Sequence, residues 1–255
     1  MENTVTKPKF PTEIIDLPSK GLLYPKDNPL SSGKIEMKYM GAREEDILTN
    51  TNYLKQGNVI DILLKSLIVS PINYDDLLIG DKNTILIASR ILGYGKDYTF
   101  SYSNGNNILQ ATVDLSLLEN KKIDESLFSS GINEFSFTLP YSDNQLTFKL
   151  LTHGDEKKIE AEVKGLQKIN PKSSFDITTR LKHIITSVNG DREIKTIRDF
   201  VDNYLMAKDA RALREYYNKI SPDIDLLYIP NDENYTGEGI EIPISLNFFW
   251  PDAGI

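Results

Sequence analysis

Two histidines, His153 and His183, and no cysteine limit the chemistry this chain can perform. A zinc tetrahedron needs four nitrogen, sulfur or carboxylate ligands, and here no thiolate is available to complete one. The same count removes a cysteine nucleophile and any disulfide. Asp75-Asp76 followed by Asp81 is an acidic stretch. It lacks the spaced ligands and closing glutamate of a calcium loop, so helix capping by Asp81 is the expectation. Gly93-Tyr94-Gly95-Lys96 is the nearest approach to a phosphate loop. It follows a helical pattern and precedes a strand, the reverse of what phosphate binding at a helix N-terminus requires, so these glycines are expected to end a helix. No G-x-S-x-G elbow is present, neither histidine has a recognisable nucleophile, and Glu44-Glu45 reads as an ordinary acidic helix start. The sequence predicts no catalytic, cofactor-binding or metal-binding residue.

The elements that would position any site must come from pattern. The 255 residues are 40% hydrophobic and 26% charged, which suffices for a buried core, and the formal charge is −8. An acidic surface is a poor partner for nucleic acid or anionic lipid. Met1-Glu2-Asn3-Thr4 lacks the basic-then-apolar order of a signal peptide. The most apolar stretch, Val59 to Val69, is interrupted by Asp61 and Lys65 and is shorter than the roughly 20 residues of a membrane span. The cytosol, or a particle assembled there, is the expected setting.

The chain reads as one unit written twice. Lys34 to Met40 alternates like a strand and runs through Gly41-Ala42 into Arg43 to Asp46; Gln145 to Leu151 does the same through Thr152 to Gly154 into Asp155 to Lys157. A second helix follows in each half, with Leu64 to Ser70 matching Leu181 to Ser187. A third starts after an aspartate suited to capping, Asp81 or Asp209. Each half then closes with an extended pair, Tyr98 to Tyr102 with Ile108 to Leu115, and Asp225 to Ile229 with Gly239 to Leu246. The lead-ins Leu17-Pro18-Ser19 and Leu139-Pro140-Tyr141-Ser142 also correspond. An extra helix, Arg192 to Met206, is expected only in the second half. The predicted fold class is therefore α+β, two similar helix-plus-hairpin lobes from an internal duplication. An extended N-terminal arm covers 1–33, the first lobe 34–125 and the second 126–255, with a connector near Glu119 to Asn133.

Three features read as contact surface. Phe10 to Pro25 is proline-punctuated and offers Leu17, Leu22, Leu23 and Tyr24 to a partner. Phe248-Phe249-Trp250-Pro251 concentrates aromatic area, including the single tryptophan. No Lys or Arg follows Lys219, whereas Asp223, Asp225, Asp232, Glu233, Glu238, Glu241 and Asp252 do, a balance suited to a basic partner.

Leu17 to Gly21 with Tyr24-Pro25, Glu44 to Leu48, Leu77 through Gly80-Asp81, Arg90, and Tyr94-Gly95 with Tyr98 together resemble the T4-type phage baseplate hub and hub-assembly protein family. Asp209 to Arg214, Pro222 to Asp225, and Ile242 to Ile244 followed by Phe248-Phe249-Trp250-Pro251 extend the resemblance through the second half. It spans most of the chain in order. Relatives in that family often carry cysteine pairs on the hairpin turns that look like small zinc ribbons; here those turns read Ser103-Asn104-Gly105-Asn106 and Pro230-Asn231-Asp232, so no zinc is expected. The resemblance implies a non-enzymatic structural protein of a contractile-tail baseplate hub, assembled in the host cytoplasm and located in the virion tail. Its partners would be other tail or hub proteins, with no nucleic acid, membrane or small-molecule substrate. The alternative it leaves open is an assembly chaperone absent from the mature particle.

Overall fold

The computed structural model describes residues 10–104, 107–172, 174–230, 239–244 and 246–249. Trp250, Pro251, the turn residues Gly105, Asn106, Asn231 and Asp232, the acids Glu233, Glu238 and Asp252, and the first nine residues of the predicted arm lie outside them.

The fold is α+β. In the first half β1 (Thr12–Asp16) pairs antiparallel with β2 (Lys34–Lys38), Thr12 opposite Lys38 and Asp16 opposite Lys34. The period-2 pattern of β2 sends Ile35 and Met37 inward and leaves charged side chains between them. Helices α1 (Ala42–Thr49), α2 (Thr51–Gln56) and α3 (Val59–Leu67) follow. Asn50 starts α2 by accepting from the Asn52 and Tyr53 amides, and Gly57, left-handed at φ 71°, ends it. Val59, Leu63, Leu64 and Leu67 make one buried face of α3. A 3-10 turn at Tyr74–Asp76 leads into α4 (Ile79–Tyr94), then into the hairpin β3 (Asp97–Asn104) and β4 (Asn107–Asp114).

The second half also runs from a strand pair through four α-helices to a closing strand pair, but it carries one more strand and places its helices differently. Strands β5 (Phe135–Thr138) and β6 (Gln145–Phe148) precede α5 (His153–Ile169) and α6 (Asp176–Ile184), and β7 (Ile185–Val188) returns to pair with β6. Ile68 bridges Met37 in the first half in the same sense. Next come α7 (Ile194–Asn203), where an additional helix is expected, α8 (Ala207–Ile220), and the short pair β8 (Leu227–Tyr228) and β9 (Ile240–Glu241). Local contacts recur as well. Lys38 binds Glu44 at 2.7 Å, with Glu44 accepting from the Gly41 amide; Lys149 binds Asp155 at 2.7 Å, with Asp155 and Thr152 capping each other.

One apolar core runs through both halves, from Leu17 to Phe249. Among the described residues, no helix is long and apolar enough to cross a membrane.

Several expectations are corrected. Residues 10–33 are not a free arm: β1 is zipped to β2, and the Leu17 amide donates to Gly33 at 2.8 Å. The second helices end at Leu67 and Ile184, so Ile185 to Ser187 belong to a strand. Asp81 and Asp209 are not caps; α4 and α8 start two residues earlier, after Leu78 and Met206. Both aspartates lie inside the first turn, fully buried.

Helix α7 is tied down electrostatically. Glu162 on α5 accepts two bonds from Arg198 on α7, at 2.6 and 2.8 Å, and lies 2.9 Å from His183 Nε2 on α6. Arg198 foremost, helped by His183 against the cost of burial, holds the Glu162 carboxyl at about 2. A carboxyl depressed on folding adds stability that is complete above its ordinary pKa, near 4.3, and is lost as pH falls toward 2. Glu162→Gln is therefore expected to lower stability at pH 7 and to flatten the acid limb of a denaturation-midpoint profile between about pH 4.5 and 2. Parallel profiles for both proteins would contradict this role.

Candidate functional site

The residues that the sequence marks for partner contact are largely inside. Leu17, Leu23 and Tyr24 are buried, and Leu22 is half-buried with its carbonyl accepting from Gly131. The Leu17-Pro18-Ser19 segment wraps the start of α4. Asp81 Oδ1 accepts from the Ser19 amide at 3.0 Å, and Oδ2 accepts from Ser19 Oγ at 2.7 Å and Tyr24 Oη at 2.6 Å. Burial outweighs these bonds and raises the Asp81 carboxyl above its usual range; burial and then Asp81 raise the Tyr24 phenol. Tyr24 in turn accepts from the Leu78 amide at 2.9 Å. In the second half, Asp209 Oδ1 accepts from the Tyr141 amide at 2.9 Å, on the Leu139-Pro140 segment.

Phe248 and Phe249 are fully buried as well. Phe248 meets the Tyr98 ring edge-on at 4.8 Å, and Phe249 meets Phe248 at 5.2 Å. The end of the second half thereby plugs the hairpin of the first. Phe248 and Phe249 are core because β3 presents Tyr98, Phe100 and Tyr102 on one face, and an apolar cover is needed there. Tyr228 on β8 supplies more of it, 5.6 Å from Phe100 and 6.1 Å from Tyr102. These seven residues thus do not converge on a surface patch: five are packed in the core, Leu22 is half-buried, and Trp250 lies outside the described residues.

Polar chemistry collects where the halves meet. The segments before α4 and α5 run antiparallel, with the His153 amide donating to Leu77 at 2.7 Å and the Ile79 amide donating to Leu151 at 3.2 Å. A cleft of about 630 Å³ opens beside them, lined by Asn58, Asp61, Lys82, His153, Glu156 and Lys157 among others. Asp61 Oδ1 accepts from Lys82 at 2.7 Å and from the Tyr74 hydroxyl at 3.0 Å. Burial opposes the charged Asp61, but Lys82, with His153 and Tyr74, holds its carboxyl below the usual range. Lys82 also lies 3.2 Å from His153 Nδ1. Asp75 binds Lys157 at 3.0 Å across the same junction.

This arrangement can hold two bodies together and can bind or release a proton at His153. It presents no nucleophile beside a base. Among the described residues, no group of three or more His, Asp or Glu is placed to hold a metal ion. Of this cluster, sequence reasoning singled out His153 and Asp75 but missed Asp61, Tyr74 and Lys82, because no short motif links positions so far apart in the chain. In comparisons with known proteins, no family model, no curated protein and no solved structure matches this chain.

Proposed function

We propose that this chain is a non-enzymatic structural component of a contractile-tail phage baseplate hub, held there by other tail proteins. One observation carries the reading: the residues that resemble the baseplate hub family in order along the chain are its joints. Leu17 to Ser19 and Tyr24 hold Asp81, Leu77 to Gly80 form the crossing between halves, and Phe248-Phe249 close the first hairpin. The recurring Lys38–Glu44 and Lys149–Asp155 pairs, and the two buried aspartates on Leu-Pro segments, support descent of the halves from one duplicated unit. An experimental structure with different topology in 34–115 and 145–246 would contradict that descent.

With Tyr24, Phe248 and Phe249 inside, partner contact among the described residues falls to the apolar side chains that remain outside. Ile108 near the β3–β4 turn is 79% exposed, and Ile229 beyond β8 is 71% exposed. Both pairs bring such residues forward on sheets that, among the described residues, have two strands. The full chain, used as bait against purified tail and hub proteins, is expected to capture at least one hub component. Ile108→Asp with Ile229→Asp should weaken that capture by more than about 1 kcal/mol while changing stability by only about 0.5 kcal/mol per site. Equal capture by the variant would place the contact elsewhere, and no capture by the native chain would overturn the hub reading.

A further inference from the structure

One imidazole sits at the centre of the junction between the halves. His153 opens α5, and its ring is buried against the first half, edge-on to Tyr74 at 4.6 Å. Nδ1 lies 3.2 Å from Lys82 Nζ. An ammonium has only donors, so this contact assigns Nδ1 as an acceptor, and the neutral ring carries its proton on Nε2. Nε2 makes no hydrogen bond; Asp61 Oδ2 is 3.4 Å away and Asp75 Oδ1 is 3.9 Å away. The same residue carries a backbone bond of the crossing, to Leu77. A change in the ring therefore acts directly on the seam.

Charged groups face the ring from each element packed around it. Asp61 and Lys65 come from α3, with Lys65 lying over the Tyr74 ring at 4.9 Å, and Asp75 comes from the 3-10 turn. Lys82 comes from α4; on α5, Lys157 binds Asp75, while Glu156 is engaged by Arg180. The two carboxylates favour a charged imidazolium, but Lys82 and Lys157 already offset them. Burial, the Lys82 ammonium and the positive end of α5 all oppose it. The balance holds the His153 ring below the ordinary histidine range, with burial the largest cause and Lys82 the next.

We propose that the junction is a pH-operated latch, shut while His153 is neutral and accepts from Lys82, and loosened when the ring takes a second proton. The doubly protonated ring presents a donor to a donor, so Lys82 must leave and the α4–α5 contact is lost. The sign follows from linkage. A histidine whose affinity for protons falls on closure binds them better when open, so the latch is fully shut above about pH 6.5 and weakens on acidification.

The test uses the full chain. Imidazole titration by NMR has only two histidines to assign, and hydrogen exchange, corrected for intrinsic rates, reports on the Ile79 and His153 amides. The His153 midpoint is expected below the ordinary range. Protection at the two amides should fall by up to about tenfold per pH unit between that range and the ring's own midpoint, then level off. In His153→Gln, whose side-chain oxygen can accept from Lys82 at any pH, protection at the Ile79 backbone amide and at the backbone amide of position 153 should stay flat over the same interval. Equal losses in both proteins, or protection that rises on acidification because Asp61 and Asp75 clasp the imidazolium, would overturn the latch. Should His153→Gln not fold, Lys82→Met is the second variant: the ring's midpoint should rise toward the ordinary value, and an unmoved midpoint would overturn the proposal.

Discussion

Gly80→Ala is expected to destabilise the protein by about 3 kcal/mol or more, an effect at or above the upper end for overpacking. Gly80 lies in the first turn of α4, where the chain of the second half crosses it. A Cβ added there would overlap the Pro222 carbonyl oxygen and lie 2.8 Å from Asp223 Cα. Both are backbone atoms, so no side chain can rotate out of the way. The crossing chain is itself fixed, since the Lys121 amide donates to the Asp223 carbonyl at 2.8 Å and Asn83 donates to the Asp223 carboxylate at 3.0 Å. Helix propensity favours alanine by about 1 kcal/mol, which offsets only part of the loss. Gly165→Ala is the matched control, because it lies within α5 with nothing near its Cβ position and should gain up to about 1 kcal/mol. Urea denaturation followed by circular dichroism reads both. A stable Gly80→Ala protein would mean that the two halves can separate at this crossing without cost.

Phe248→Ala is expected to cost about 3 to 5 kcal/mol, the usual range for truncating a buried aromatic. The ring is fully buried, touches Tyr98 and Phe249, and belongs to another 3-10 turn, Leu246–Phe249, that packs on α4. Its loss would uncover the inner face of β3, whose Tyr98 also donates to the Pro243 carbonyl at 2.9 Å. Thermal or chemical unfolding of the isolated variant measures the cost. An unchanged midpoint with lost capture of hub proteins would contradict the core placement and return Phe248 to the partner-binding set.

Local pattern made much of the fold legible. The alternation of β2 and β6, the acids that open α1 and α5, and the apolar spacing of α3 and α7 each depend on near neighbours in the chain. Asp81 was misread for the opposite reason. An aspartate near a helix start looks like a cap, but Ser19 and Tyr24, far away in sequence, take its oxygens. Phe248-Phe249 looks the same in sequence whether it anchors a partner or fills a hole, and only the uncovered face of a distant hairpin decides between them. The junction cluster was the least legible, because Asp61, Lys82 and His153 are brought together by the crossing of the halves and by no local rule.

Residence in a contractile tail is what we propose for this protein. Quantitative mass spectrometry of purified particles, alongside the infected-cell lysate, tests it most directly. The account predicts the chain at a fixed small-integer ratio to the hub proteins in the particle. Abundance in the lysate with absence from the particle would contradict residence and make the protein an assembly factor.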